Sequence, residues 1–577
     1  MICPLYALQE KYKDKKIYVW NVNRTSMLMF LKIFLMRIDI SGFVAAEEEY
    51  VGETYMNRPV VSIKSMLQEE NSLVLVADEV PEEKISAELA DRRVYWADAL
   101  GINEELRKNR VILYGTGHGA DEIEEILSQE GVETELYCVT KKEGVTQYKG
   151  KRVIEAVELE KYGDYSVVIS VKREQYQMEI LETLSAYQGQ IFVEHIFNQQ
   201  AISQVDIIQN IDFAIKESKK IYMYGKRTVI SELIEEALRV YGIGVSGYVY
   251  DIEDEGQNIG NIYELALEST EDKLIIINEI FPQRFVEARE NIEQAGFVLE
   301  KRCYIGFQYY TASNEYLLSK LKMCFDPLVG VSILYSDGRP GWKIYGKEED
   351  DRIRIMVLGG STSSEIYYPE NWVSKLYYKL ESRNIKTVIY NGAHAGNDIV
   401  EEVLRFWRDA VVLRPQIVIS MSGVNNTLHK DSENQFNSRT IISWVQSLTH
   451  GREYCSGLYS EESLYDFWNR NVEILKLVAG FYGAELFAFL QPMNIAMKHM
   501  TLWEKSVYEM EHHARGAEEF AEAADDDNGY INLMSLFEHQ NEMYMDMCHY
   551  TDKAHEIIAD RVCEAVMPVL QAKVYHK

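Results

Sequence analysis

Short, almost unbroken apolar runs recur along this chain, and between them the apolar residues return at helical spacing. A strand covered on both faces reads as a continuous Val/Ile/Leu run, whereas a half-exposed strand alternates. The run Ile353, Ile355, Met356, Val357, Leu358 is of the first kind, and it stops at Gly359 and Gly360, followed by the hydroxyls of Ser361 to Ser364. Paired glycines permit a sharp turn that presents Ser361 at the mouth of a sheet, beside the start of the next helix. A serine held there is a candidate nucleophile, and it needs a base and an oxyanion site from elsewhere in the chain.

One layout occurs three times before residue 315. A basic residue opens a short strand in KKIYVW from Lys15, NRVILYG from Asn109 and KKIYMYG from Lys219. Helical spacing follows, as in Ile123, Ile126 and Leu127 and again in Ile230, Leu233, Ile234 and Leu238. Further strands are expected over 40–44, 135–139 and 245–250, and in SLVLVAD from Ser72, YSVVISV from Tyr165 and KLIIINE from Lys273. Strands alternating with helices make parallel βαβ units, so the pattern predicts an α/β chain of three tandem Rossmann-like modules, at 1–105, 106–212 and 213–315. The stretch 316–350, with Pro327, Gly330, Gly338, Pro340 and Gly341, is expected to be an ordered transition into a fourth domain at 351–577. There, helices carrying Trp372, Leu376 and Leu380, then Ile399, Val403, Leu404 and Trp407, alternate with strands at 386–390, 416–421 and 486–490. The Tyr- and Trp-rich insertion from Asn426 to Leu486, helical through 464–481, is expected to form a lid or pocket wall. The polar loops of this domain fall at the carboxyl ends of strands, where open parallel sheets place their ligands.

Length and charge narrow the classes. A chain of 577 residues exceeds a single core. With 60 Lys plus Arg against 91 Asp plus Glu, the formal charge of -31 gives no support to a nucleic-acid or anionic-membrane partner. Seven scattered cysteines without a CxxC pair argue against a disulfide framework and a zinc site, and no motif calls for a cofactor. The apolar stretch Met27 to Met36 is short and broken by Lys32, so it reads as a buried helix; with no signal-peptide pattern, the cytoplasm is the expected compartment. The pair His512 and His513 reads as helix surface, and Asp525 to Asp527 as a solvated turn.

A pyrophosphate needs bare backbone after the first strand of such a module. Only the second module offers it, in Gly115, Gly117 and Gly119, spaced GxGxG rather than GxGxxG; the first has Asn21 to Asn23 there and the third Gly225 alone. The second module is therefore the candidate for a nucleotide or nucleotide sugar, the other possibility being that all three are docking modules. In strand, Gly-rich turn and helix these segments resemble the N-terminal nucleotide-sugar-binding domain of bacterial sugar O-acyltransferases.

Four stretches follow in fixed order: GGST at Gly359, NGAHAGN at Asn391, GVNN at Gly423 and DMCH at Asp546. This order resembles the SGNH (GDSL) hydrolase family, over one domain's worth of chain. The resemblance implies a flavodoxin-like hydrolase domain in which Ser361 is the nucleophile. Gly396 and Asn425 join the Ser361 amide in the oxyanion hole, and the last block supplies the aspartate and histidine. That block contains two DxxH matches, Asp546/His549 and Asp552/His555. Thr551 reads as the N-cap of a helix that would sequester His555, whereas His549 precedes that helix, in keeping with the family pattern; Asp546 and His549 are the pair chosen. Gly360 and Asn426 stand where the family usually has aspartates, and neither change removes a triad or oxyanion group. The implied activity is hydrolysis of a short acyl ester, acetyl above all, on a carbohydrate, through an acyl-Ser361 intermediate. Two other readings stand beside it: an O-acyltransferase using the same acyl-enzyme, and a binding scaffold with a vestigial hydrolase domain.

Overall fold

The apolar runs become strands, and in this computed structural model they assemble into parallel-rich sheets interleaved with helices. The structure describes residues 14–35, 40–77, 80–95, 108–129, 131–142, 144–171, 180, 183–184, 187–193, 220–228, 231–232, 235, 239, 244–251, 259–279, 281–297, 303–305, 323–326, 330–333, 338–339, 341–366, 368, 370–427, 462–508, 511–524 and 529–575. The chain divides into two units, Met1–Lys226 with Leu238–Leu318, and Arg227–Ala237 with Ser319–Lys577.

Three sheets of the first unit share one strand order. In the first, Lys16–Trp20 lies between Gly42–Val44 and Ser72–Val76, with Arg58–Val61 and Arg93–Tyr95 outside them, all parallel. In the second, Arg110–Tyr114 lies between Thr134–Val139 and Tyr165–Ile169, with Lys151–Glu155 and Ile191–Val193 outside. In the third, Lys220–Tyr224 lies between Val245–Tyr250 and Lys273–Ile277, with Ile259–Asn261 and Cys303–Ile305 outside. Each reads 3-2-1-4-5 in chain order, which leaves a crevice where the connections leaving the paired strands 1 and 4 diverge at their carboxyl ends. The first two sheets also carry an edge hairpin, turning at Met56-Asn57 and at Lys149-Gly150, with all four residues at positive φ. Such turns match the natural twist of two paired strands. The first hairpin reaches the third sheet's helix Pro282–Gln294, where Asn57 Nδ2 and Arg58 Nη1 donate to the Glu290 carboxylate at 3.1 and 2.5 Å. Helix Arg24–Leu35 buries Met27, Met29, Phe30 and Ile33, as its spacing requires. The corresponding pattern at Ile230, Leu233, Ile234 and Leu238 lies outside the described residues.

The sheet of the second unit has strands β1 (Gly338–Arg339), β2 (Trp342–Tyr345), β3 (Ile353–Gly359), β4 (Thr387–Asn391), β5 (Ile417–Ser422), β6 (Glu485–Leu490) and β7 (Ile531–Asn532), in the order β1-β2-β4-β3-β5-β6-β7. Strands β3 to β7 are parallel, and their order 2-1-3-4-5 is the flavodoxin-like doubly wound one. Successive residues of β3 face opposite layers, which explains its unbroken apolar run. Ile353, Ile355 and Val357 pack with α1 (Trp372–Ser382) and the terminal helix Asp552–Tyr575, while Met356 and Leu358 pack with α2 (Ile399–Leu413) and the helix Leu464–Phe481.

Two expectations need correction. The stretch 316–350 is more than a transition, because β2 pairs antiparallel with β4, and β1 with β2, so the sheet begins at Gly338. Trp342 drives this: its six-membered ring packs against Gly392, where an added Cβ would come within 2.3 Å of it. On α2, Ile399 and Val403 face the core as expected and Phe406, Ala410 and Leu413 continue that stripe, whereas Trp407 is exposed. Most of the expected lid, residues 428–461, and Asp525 to Asp527 lie outside the described residues. Among the described residues no helix is long and apolar enough to cross a membrane.

Candidate active site

Strand β3 must end at a residue without a side chain. A Cβ on Gly359 would lie 2.8 Å from the Met421 carbonyl oxygen, and one on Gly360 would lie 2.5 Å from Asn425 Nδ2. Beyond them the chain closes a tight turn, in which the Ser363 amide donates to Gly360 O at 3.1 Å and the Ser364 amide to Ser361 O at 3.2 Å. Ser363 then anchors that turn from below. Its carbonyl accepts from the side-chain amides of Asn371 and Asn391, each at 2.9 Å, and its hydroxyl accepts from Trp372 Nε1 at 3.1 Å. Asn371 is also the N-cap of α1, accepting from the Val373 and Ser374 amides, so one side chain fixes the start of the helix and the turn before it.

The imidazole beside Ser361 comes from the other end of the domain. His549 Nε2 stands 2.8 Å from Ser361 Oγ, and His549 Nδ1 stands 2.6 Å from Asp546 Oδ2. The second carboxylate oxygen of Asp546 accepts the Cys548 and His549 amides at 2.9 and 2.7 Å, so one oxygen shapes the turn while the other orients the imidazole. Upstream, the wholly buried Glu504 accepts from the main-chain amides of Glu542, Met543 and Tyr544, and Trp503 Nε1 donates to Met545 O at 3.1 Å. Both lie on the helix Leu502–Tyr508, which thereby holds the segment leading into Asp546.

The second and third motif blocks converge on the same turn. The His394 amide donates to Gly359 O at 3.0 Å, tying the loop that contains Gly396 to the end of β3. Gly396 sits at φ +83°, a conformation that a side chain would strain. Asn425 donates from Nδ2 to Asn397 O at 2.7 Å, which fixes its amide beside Gly360. Arg405, buried under this loop, donates to Gly392 O at 2.7 Å and stacks on the Trp342 ring.

No protein-family model and no curated protein matches this chain. Solved structures do. The acetylxylan esterase Axe2 from Geobacillus stearothermophilus is similar at 12% identity, over 38% of this chain and 94% of that one, with a TM-score of 0.24. An acetyl xylan esterase, AlAXEase, is similar at 14% identity over 37% and 100%, with a TM-score of 0.26. A GDSL-like lipase from Bacteroides thetaiotaomicron is similar at 13% identity over 39% and 93%, with a TM-score of 0.25. Likeness at that level leaves the site to be read from its own residues.

Burial disfavours charge on both members of the His549–Asp546 pair, yet their mutual attraction and hydrogen bond prevail. The Asp546 carboxyl, also bonded by two amides, is held down to about 2, and the His549 imidazole is raised well above its ordinary 6.5. Cys548 lies in the same turn, and burial raises its thiol. The other DxxH match is elsewhere: His555 is wholly buried in the first turn of the terminal helix, and its Nδ1 accepts the Trp372 amide at 3.2 Å. The Thr551 hydroxyl caps that helix, accepting the Ala554 amide at 3.3 Å.

In the first unit, Gly115 ends the first strand of its sheet at φ +128°, with Ser170 Oγ 2.6 Å from where a Cβ would be. Gly117 is exposed to open space, and Gly119 lies in the first turn of helix His118–Gln129. In the first sheet, Asn23 and Ser26 cap each other's amides at 2.9 Å, occupying the donors a phosphate would need there.

Sequence reasoning missed Asn371, Trp503 and Glu504. Asn371 could have been found as a helix cap, but a lone glutamate in a polar helix carries no signal of the three amides it receives.

Proposed function

We propose that the second unit is a serine esterase of the SGNH (GDSL) type. The observation that carries this reading is the single imidazole of His549 spanning Asp546 and Ser361 at 2.6 and 2.8 Å. Ser361 Oγ attacks the ester carbonyl carbon while its proton passes to His549 Nε2, and Asp546 holds the tautomer that makes Nε2 the acceptor. Negative charge on the carbonyl oxygen is met by the amides of Ser361 and Gly396 and the side-chain amide of Asn425. Collapse breaks the ester C–O bond, and the leaving alcohol takes the proton from His549. Water then attacks acyl-Ser361, gives its proton to His549, and releases the carboxylic acid and the free serine. A fluorophosphonate probe should label the wild type at Ser361 and leave Ser361→Ala unlabelled; full hydrolysis by Ser361→Ala would sink the reading.

The substrate we propose is a short acyl group, acetyl above all, on a carbohydrate, as the resemblance to the SGNH family and the candidate nucleotide-sugar module imply. Acetate release from acetylated sugars that is independent of added glycan acceptor distinguishes hydrolysis from transfer. For the three sheets of the first unit the proposal is Rossmann-like modules, with a nucleotide sugar at the bare backbone of Gly115 and Gly117. Calorimetric titration of the full chain with nucleotide sugars tests this, and no heat with any of them removes it.

A further inference from the structure

Asp546, Cys548 and His549 bring a carboxylate oxygen, a thiol sulfur and an imidazole nitrogen within 4.8 Å of one another. We propose that this turn is a binding site for a thiophilic divalent cation, Zn2+ or Cd2+, which holds the serine site off; the inhibitory half of the proposal rests on the esterase reading above. Cys548 Sγ and His549 Nδ1 are 3.5 Å apart. Tetrahedral zinc with ~2.3 Å to sulfur and ~2.05 Å to nitrogen sets those ligands roughly 3.5 Å apart, so the two atoms already stand at ligand spacing. Asp546 Oδ2, at 2.6 Å from Nδ1, must withdraw to about 3.3 Å to share the ion. Its side chain is the more open of the pair, 31% exposed against 14% for His549, which leaves room for that shift and an approach from solvent. A thiolate ligand selects Zn2+ or Cd2+ over Mg2+ or Ca2+, which prefer oxygen.

The effect on the serine site is a change of tautomer. Without the ion, Nδ1 carries the ring proton toward Asp546, and Nε2 accepts from Ser361 Oγ. The cation takes the lone pair of Nδ1, so the ring proton moves to Nε2, and the Cys548 thiol gives its proton to solvent as the metal–sulfur bond forms. From the neutral-imidazole form that accepts the serine proton, one proton leaves per cation bound. The Nε2–H group then donates to Ser361 Oγ and can no longer take its proton.

Two readouts test this on the full chain. The first is the ultraviolet thiolate-to-metal absorbance that grows on Cd2+ titration, compared between the wild type, Cys548→Ala and Ser361→Ala, with Cys548→Ser as a second replacement. We expect the signal in the wild type and Ser361→Ala and its loss in both Cys548 variants; equal signals in all four proteins overturn the site. The second is ester hydrolysis. Zn2+ should inhibit the wild type reversibly, with EDTA restoring activity, and the inhibition constant, measured against each protein's own uninhibited rate, should rise at least about 10-fold in Cys548→Ala, since losing a ligand costs no less than losing an outer-shell partner. Equal inhibition of Cys548→Ala overturns the inhibitory role. A Cys548-dependent Cd2+ signal in a protein that hydrolyses no ester would leave the metal site standing and remove the esterase reading.

Discussion

Asn425 holds its side-chain amide against Gly360, so closely that a methyl group at position 360 would lie 2.5 Å from Nδ2. The missing side chain at Gly360 is therefore the space that Asn425, the proposed oxyanion donor, occupies. Because Asn425 is short and already bonded to Asn397 O, it cannot swing aside cheaply. Gly360→Ala should cost about 100- to 1000-fold in kcat with little change in KM, the loss expected of one oxyanion donor. Asn425→Ala should cost a similar factor. The double variant should lose no more than Asn425→Ala alone, since both changes remove one interaction. Additive losses in steady-state kinetics would count against this coupling.

The raised His549 imidazole fixes a pH dependence. The base must be neutral to accept the serine proton, so kcat/KM should rise with pH through a midpoint above 6.5 and be lost as pH falls below it. Asp546→Asn removes the charge that raises the imidazole. Its midpoint should fall, and kcat should drop about 10000-fold as the ring loses its orienting partner. A pH–rate profile for each protein checks both statements.

Glu504 offers a test at a residue remote from the reacting atoms. Glu504→Ala would strip the acceptor from the amides of Glu542, Met543 and Tyr544, at about 1–3 kcal/mol for each group left buried and unpaired. Thermal melting should shift down, and fluorophosphonate labelling of Ser361 should slow in the surviving folded protein. Glu504→Gln keeps one acceptor oxygen and should recover part of both.

Glu402, buried on α2, accepts from the Ser420 hydroxyl, and burial pushes its carboxyl up to about 8, with Asp398 and Glu401 adding to the rise. Between the ordinary 4.5 and about 8 the folded chain keeps a proton that the unfolded chain has released. This group therefore lowers stability as pH rises through that window, by ~1.4 kcal/mol per pH unit at most. Glu402→Gln should melt with a shallower pH dependence and gain on the wild type toward pH 8. Parallel melting curves from pH 5 to 9 would refute it.

Much of this was legible from the chain. The run from Ile353 to Leu358 suited a strand buried on both faces better than a half-exposed one, and it is such a strand. Ser361, Gly396, Asn425, Asp546 and His549 were named from the order of four motif blocks and the family they resemble; Ser361, His549 and Asp546 lie in turn within hydrogen-bond reach, and Asn425 lies against Gly360. What escaped the sequence was decided by tertiary packing. β1 and β2 are too short, and sit too near proline and glycine, to show a period; they exist because Trp342 lies over a glycine and β4 needs a partner. On α2 the expected stripe is met at Ile399 and Val403 and fails at Trp407, which is apolar and at helical spacing yet faces solvent.

The antiparallel pairing of β2 with β4 has a practical consequence for anyone dividing the protein. A fragment starting at residue 351 would bare the hydrogen-bonding edge of β4 and leave Gly392 and Arg405 facing the gap once filled by Trp342. Such an edge invites pairing with another chain, so that fragment should aggregate, whereas one cut ahead of Gly338 carries its own cover. The place where this second unit can be severed from the first lies upstream of where its apolar pattern begins.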